Sequence, residues 1–282
     1  MYSVVSLFGN NYWERDFILN ELLPDGYELK IYDHSDVTIE PADKLVIIFS
    51  SRCTEFNRIK EICEYSRPTI VIQLSDEFGK YPEYTELSKY CKLYARNYYH
   101  PNYPNVDAVY IPLGYNSNMI TQKSTEIIHI PASSRPIAWS FIGDATRERR
   151  KRMLSVFMKV NLGLPHCARN GINPSEMFSV YAHSVFVPNE RGRETLDCFR
   201  IYEACVAGAI PIVVGKTEEM MNTFSKEENP PWIFATDWNN AALICISLFR
   251  DKVQLDKKQQ EVIQWWNTRV QSVQSKFSLI LQ

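Results

Sequence analysis

Short apolar, β-branched runs alternate with amphipathic stretches along the whole chain. In the first half, residues 2–8, 27–32, 45–49, 69–74 and 106–113 read as strands, with helices over 13–23 and 55–65 and a turn at 24–26. Residues 121–136 turn polar and carry two prolines, which marks a domain boundary. The pattern then restarts. Strands are predicted at 137–142, 184–187, 210–214 and 233–235, and helices at 146–160, 175–183, 197–207, 239–249 and 253–281. Gly208 stands where a left-handed helix cap is expected. Strands alternating with helices imply parallel sheets buried on both faces. The expected architecture is α/β with two halves, residues 1–131 and 132–282, and ligands at the carboxyl ends of the strands.

Composition narrows the class. Of 282 residues, 45% are hydrophobic and 23% charged, the range of a globular protein and outside that of a disordered one. The net charge of −2 gives no general pull toward nucleic acid or anionic lipid. One local exception is Arg147-Glu148-Arg149-Arg150-Lys151-Arg152, with five positive charges in six positions. A helix turns such a run in every direction, so only Arg147, at the first turn, is singled out. Ten glycines argue against glycine-rich dinucleotide loops, whereas 14 Phe, 16 Tyr and 6 Trp suit both core packing and stacking on sugars or bases. Seven cysteines form no CxxC pair and are odd in number, so neither a zinc finger nor a complete disulfide framework is expected. No signal peptide, apolar span or N-x-S/T sequon is found, which points to a reducing, cytoplasmic setting.

The densest chemistry lies in residues 184–215. A strand runs to Pro188, a loop carries Arg191 and Arg193, and a helix begins near Asp197. A helix start exposes unpaired N–H groups and the positive dipole end, a natural seat for phosphate, which Arg193 can clamp. Asp197, Arg200 and Glu203 are three apart and fall on one side of that helix, within about 120° of arc. Glu203 is placed to accept hydrogen bonds from ribose hydroxyls. The same spacing also describes a solvated charge ladder with Asp197 as N-cap.

Several of these segments resemble the exostosin-like glycosyltransferases of family 47. They are Ser184-Val185-Phe186-Val187-Pro188, then Asp197, Arg200, Glu203-Ala204 and Gly208-Ala209-Ile210-Pro211-Ile212-Val213. Trp139-Ser140-Phe141-Ile142-Gly143-Asp144 followed by Arg147 resembles the opening of the donor domain in that family. Leu74-Ser75-Asp76-Glu77, Arg96-Asn97-Tyr98-Tyr99 and Ile111-Pro112-Leu113-Gly114-Tyr115 look like compact, soluble members encoded by large algal viruses, which decorate a capsid glycan.

The resemblance implies a GT-B fold, two Rossmann-like domains facing across a cleft with the C-terminal helix packing back. It implies inverting transfer of a sugar, xylose by analogy, from a uridine diphosphate (UDP) donor to a glycan hydroxyl on a glycoprotein; from charge and hydropathy, neither nucleic acid nor a membrane span is expected. No metal is expected, since the second half has no DxD motif and Gly143, Arg147, Arg193, Asp197, Arg200 and Glu203 would hold the donor. Inversion needs a base for the acceptor's proton. Asp76, directly after a strand, is the first candidate and Glu77 the second, with His100 and His34 as alternatives. Arg96, Tyr98 and Tyr115 are expected at the acceptor. The competing reading is a nucleotide-sugar-binding partner protein without turnover.

Overall fold

The computed structural model describes residues 1–8, 12–33, 37–160, 162–168 and 172–282. The chain divides into two units, Met1–Leu113 with Val270–Gln282, and Gly114–Arg269.

In the first unit β1 (Tyr2–Ser6) leads to a helical segment that starts as α1 (Arg15–Phe17) and continues as a π-turn, Ile18–Leu22. The widening lets Phe17, Ile18, Leu19 and Leu22 all turn inward. Then follow β2 (Tyr27–Ile31), β3 (Leu45–Ser50), α2 (Phe56–Ser66), β4 (Ile70–Leu74), a 3-10 helix (Pro82–Tyr90), β5 (Leu93–Arg96) and β6 (Ala108–Tyr110). The strands form one parallel sheet in the order β2-β1-β3-β4-β5-β6. Every residue of β3 and β4 is buried, which explains their unbroken apolar sequence.

The second unit repeats the scheme. It contains β7 (Ile137–Ile142), α3 (Glu148–Lys159), β8 (Pro165–Ala168), α4 (Pro174–Ala182) and β9 (Ser184–Asn189). After these come α5 (Phe199–Val206), β10 (Ile210–Val214), α6 (Thr217–Thr223), β11 (Ile233–Ala235), α7 (Trp238–Arg250) and α8 (Lys252–Leu281). Its parallel sheet has the order β11-β10-β9-β7-β8. Trp139, Phe141, Phe157, Phe186, Ile210 and Ile212 centre the core. Gly208 caps α5 as expected. Its φ is +65°, its N–H reaches Cys205 O at 2.9 Å, and Ala209 N–H reaches Ala204 O at 2.8 Å.

In both sheets the strand order reverses at one place, between β1 and β3 in the first and between β7 and β9 in the second. Such reversals open a crevice at the carboxyl ends, where α/β folds hold ligands.

The unit boundary falls after Leu113, not within residues 121–136. The polar stretch and the segment leading into it are tied to the second unit by hydrogen bonds that composition does not reveal. Asn116 Nδ2 donates to Glu203, Trp266 Nε1 to Ser124 Oγ at 3.0 Å, and Ala132 N–H to Gln259 Oε1 at 2.7 Å. Helix α8 is continuous across the division. Leu255, Gln259, Val262, Trp266, Val270, Val273, Phe277 and Leu281 form its buried stripe at helical spacing. Among the described residues, no helix is long and apolar enough to cross a membrane.

Candidate functional site

The reversal between β7 and β9 is built around one arginine. Strand β7 ends at Ile142 and is followed by Gly143, and β9 ends at Asn189 and is followed by Glu190. From the first turn of α5, Arg200 Nε donates to Ile142 O at 3.2 Å. Its Nη1 donates to Asn189 Oδ1 at 3.2 Å and to Glu190 O at 3.4 Å. The guanidinium lies 4.7 Å from the centre of the Phe141 ring. Arg200 therefore braces the two strand ends from beneath. Gly143 leaves it room. Its φ is +147°, and a Cβ there would lie 2.9 Å from Arg200 Nη2. Gly143→Ala is expected to cost about 1–3 kcal/mol in backbone strain and to push the brace aside. Thermal denaturation reads the effect, and an unchanged melting temperature would show that the brace tolerates a side chain.

Above this brace the loops gather positive charge. Arg147, the N-cap of α3, donates from Nη1 to Gly192 O at 3.5 Å. Arg150 Nη1 donates to Asp144 O at 2.7 Å. Arg149 Nε and Arg150 Nε lie 3.6 and 4.0 Å from the carboxylate of Glu190, a residue only 6% exposed. Burial, then the charges of Arg200 and Arg147, lower the pKa of Arg150. Burial likewise raises the carboxyl of Glu190, against the pull of four arginines. Arg191 is engaged elsewhere, with Glu194 O at 2.6 Å and with Glu219. Arginines whose charges already repel one another at the start of a helix attract an anion.

Further along α5, Glu203 is 3% exposed and accepts from Asn116 Nδ2. Burial raises its carboxyl to about 7, while Arg200 and Asn116 pull it the other way. Asp197 is buried and precedes the N-cap, which is Cys198.

Comparison with known proteins bears on this arrangement. An α-glucosyltransferase solved with UDP and a 13-mer DNA containing an HMU base superposes with a TM-score of 0.63 over the whole of both chains, at 13% identity. TarM superposes with a TM-score of 0.53 at 9% identity, covering 86% of this chain and 56% of that one. The fold is GT-B. Residues 183–282 of this GT-B chain match the family described as the RXYLT1 C-terminal domain. Ribitol-5-phosphate xylosyltransferase 1 of Danio rerio is 27% identical over 100 residues, which make up 30% of this chain and 22% of that protein.

The remaining predicted residues of this GT-B chain take places the sequence did not foretell. Gly143 and Arg147 lie between β7 and α3, and Arg200 and Glu203 lie one turn apart on α5, with Arg200 bonded to both strand ends of the β7–β9 reversal. Arg193 is exposed on the loop after β9. Asp76 does follow β4, yet it is 1% exposed and its carboxylate is engaged. Arg96 Nη2 at 3.1 Å and the Tyr103 hydroxyl at 2.5 Å donate to Oδ2, and Lys80 N–H donates to Oδ1 at 3.1 Å. These donors hold the buried carboxylate and tie it to the loop that follows β4. Arg96, expected at the acceptor, is instead the buried partner of Asp76. Tyr115 is fully buried and Tyr98 is 8% exposed, so neither offers a ring face for stacking on a sugar. Glu77 keeps a side chain 9% exposed, 3.4 Å from Arg52 Nη2. His100 donates from Nε2 to Asp76 O at 2.7 Å, and burial lowers its pKa. His34 lies outside the described residues.

Glu14 has a place here that the sequence did not announce. It is 1% exposed and accepts from Asn97 Nδ2 at 2.6 Å and from the Ser75 hydroxyl, at the carboxyl ends of β4 and β5. Burial raises its carboxyl. It falls inside the predicted helix over 13–23, and only its long-range pairing with Asn97 and Ser75 sets it apart. Among the described residues, no group of three or more His, Cys, Asp or Glu is placed to hold a metal ion.

Proposed function

We propose that this protein is a glycosyltransferase that moves a sugar, xylose, from a UDP donor to a glycan hydroxyl with inversion at the anomeric carbon. The observation that carries the reading is the arginine cluster at the β7–β9 reversal, within a fold shared with a UDP-bound glucosyltransferase. In this reading Arg147 and Arg150 neutralise the diphosphate as it departs, without a metal ion. Asp197 and Glu203 orient the nucleoside, and Arg193 closes over the donor from the loop. Glu77 takes the acceptor's proton, because its contact with Arg52, 3.4 Å, is longer than the 3.1 Å that ties Asp76 to Arg96. The resemblance of residues 183–282 to a xylosyltransferase supports xylose as the sugar.

The test is UDP release from a panel of UDP-sugars, in chelator, together with UDP binding. Arg147→Ala is expected to weaken UDP binding about 10- to 100-fold, the worth of a hydrogen bond between charged groups. Glu77→Gln should leave binding intact and slow turnover by about 10² to 10⁴. The buried state of Asp76 also favours a second reading, a nucleotide-sugar-binding protein without turnover. In that case UDP binds, no sugar moves with any acceptor, and Glu77→Gln changes nothing.

A further inference from the structure

Glu190 is an odd residue to find among arginines meant for a phosphate. It sits on the loop directly after β9, with its backbone carbonyl held by Arg200. Its side chain is buried, yet Oε2 has no hydrogen-bond partner, and neither has Nε of Arg150, 4.0 Å away. Arg149 stands 3.6 Å from the other oxygen. A well-made ion pair of this kind closes to about 2.8 Å with both donors used. This one is slack, and a slack pair in a buried setting leaves desolvated charge on both sides.

We propose that Glu190 is a built-in competitor for the anionic ligand, holding Arg149 and Arg150 while the site is empty and yielding them to the incoming diphosphate. The inference rests on the reading of this cluster as the diphosphate site. A diphosphate brings more charge and more acceptor oxygens than one carboxylate, so it satisfies both guanidinium groups where Glu190 does not. The carboxylate stays close by and repels the bound anion. The arginines thus supply affinity, and Glu190 trims it so that the nucleoside diphosphate left after transfer departs quickly. Glu190 is a positioning and affinity-setting residue, not a catalytic one.

The experiment is calorimetric titration of the full chain with inorganic pyrophosphate and, separately, with UDP, at fixed ionic strength. Glu190→Gln, which keeps the shape and removes the charge, is expected to bind both about tenfold more tightly, as removal of one like charge at a few ångströms implies. Glu190→Asp, which draws the charge back by one methylene, should shift affinity in the same direction by less, and it decides the matter if the glutamine variant does not fold. Arg147→Ala should weaken both ligands. Pyrophosphate affinity that stays level or falls in the Glu190 variants overturns the proposal while leaving the donor-site reading intact. Tighter pyrophosphate binding in the variants, with UDP ignored by every form, upholds the role of Glu190 and sinks the nucleotide reading. No binding of either ligand by any form overturns both.

Discussion

Arg135→Ala is expected to lower the melting temperature by about 10 °C. Arg135 is 7% exposed, and its planar fork reaches four backbone carbonyls. Nε donates to Ile130 O at 3.0 Å, Nη1 to Tyr181 O at 3.2 Å and Ser184 O at 2.7 Å, and Nη2 to Ala207 O at 3.0 Å. Three of those carbonyls belong to the end of α4, the start of β9 and the end of α5, and the fourth to the segment before β7, so a single side chain closes three elements of the second unit. Burial lowers its guanidinium to about 10, still charged at neutral pH. Gln259 of α8 works beside it, donating to Ile130 O and Gly208 O at 2.9 Å each. Removing the arginine strands buried carbonyls and costs about 3–5 kcal/mol, of the order seen when a buried ionic contact loses one partner. At about 2–4 °C per kcal/mol for a unit of this size, calorimetry would register the loss plainly. Arg135→Lys should rescue little, because a point charge on a flexible stem cannot span the four acceptors. A shift below about 2 °C for the alanine variant would mean that water or neighbouring donors take over.

The second large effect is a pH dependence of stability that belongs to Glu203. Its carboxyl titrates near 7 in the folded chain against 4.5 for the free group, with burial as the main cause. Between those two values the folded state holds a proton that the unfolded state has lost, so stability falls as pH rises. The contribution is whole below about pH 4.5 and gone above about pH 7, a difference of about 3 kcal/mol. Other groups titrate in the same window. His129, lowered to about 4 by burial and then by Arg135, acts with the opposite sign. The difference between wild type and Glu203→Gln removes these shared terms. Denaturant melts from pH 4.5 to 7.5 should show the wild type losing ground to the glutamine variant step by step. A flat difference would show that the Glu203 carboxyl is ionised throughout.

The sheets were legible because their central strands are buried on both faces and so carry unbroken apolar runs. Ile137–Ile142 and Ile210–Val214 begin and end where the hydrophobic pattern says. Strands β5 and β8 were not. Strand β5 ends in Arg96, whose burial depends on Asp76, a partner twenty residues away that no local pattern foretells. Strand β8 is a four-residue edge beginning with proline. The site divided in the same way. Gly143, Arg147 and Glu203 could be singled out because strand ends, helix starts and turn residues leave local marks. Roles that arise only from long-range pairing left none. Asp76 reads as an open carboxylate until Arg96 and Tyr103 are seen on it, and Arg135 reads as a loop cation until its four acceptors are found.

Helix α8 sets the order in which the chain can be completed. Val273 and Phe277, fully buried, belong to the first unit although about 160 residues separate them from its sheet. During translation the six parallel strands emerge early and must wait on the order of ten seconds for the segment that completes their unit. The second unit, contiguous in the chain, has no such delay. The part of the molecule made first is thus the part sealed last, and the interval is when a nascent chain would lean on chaperones.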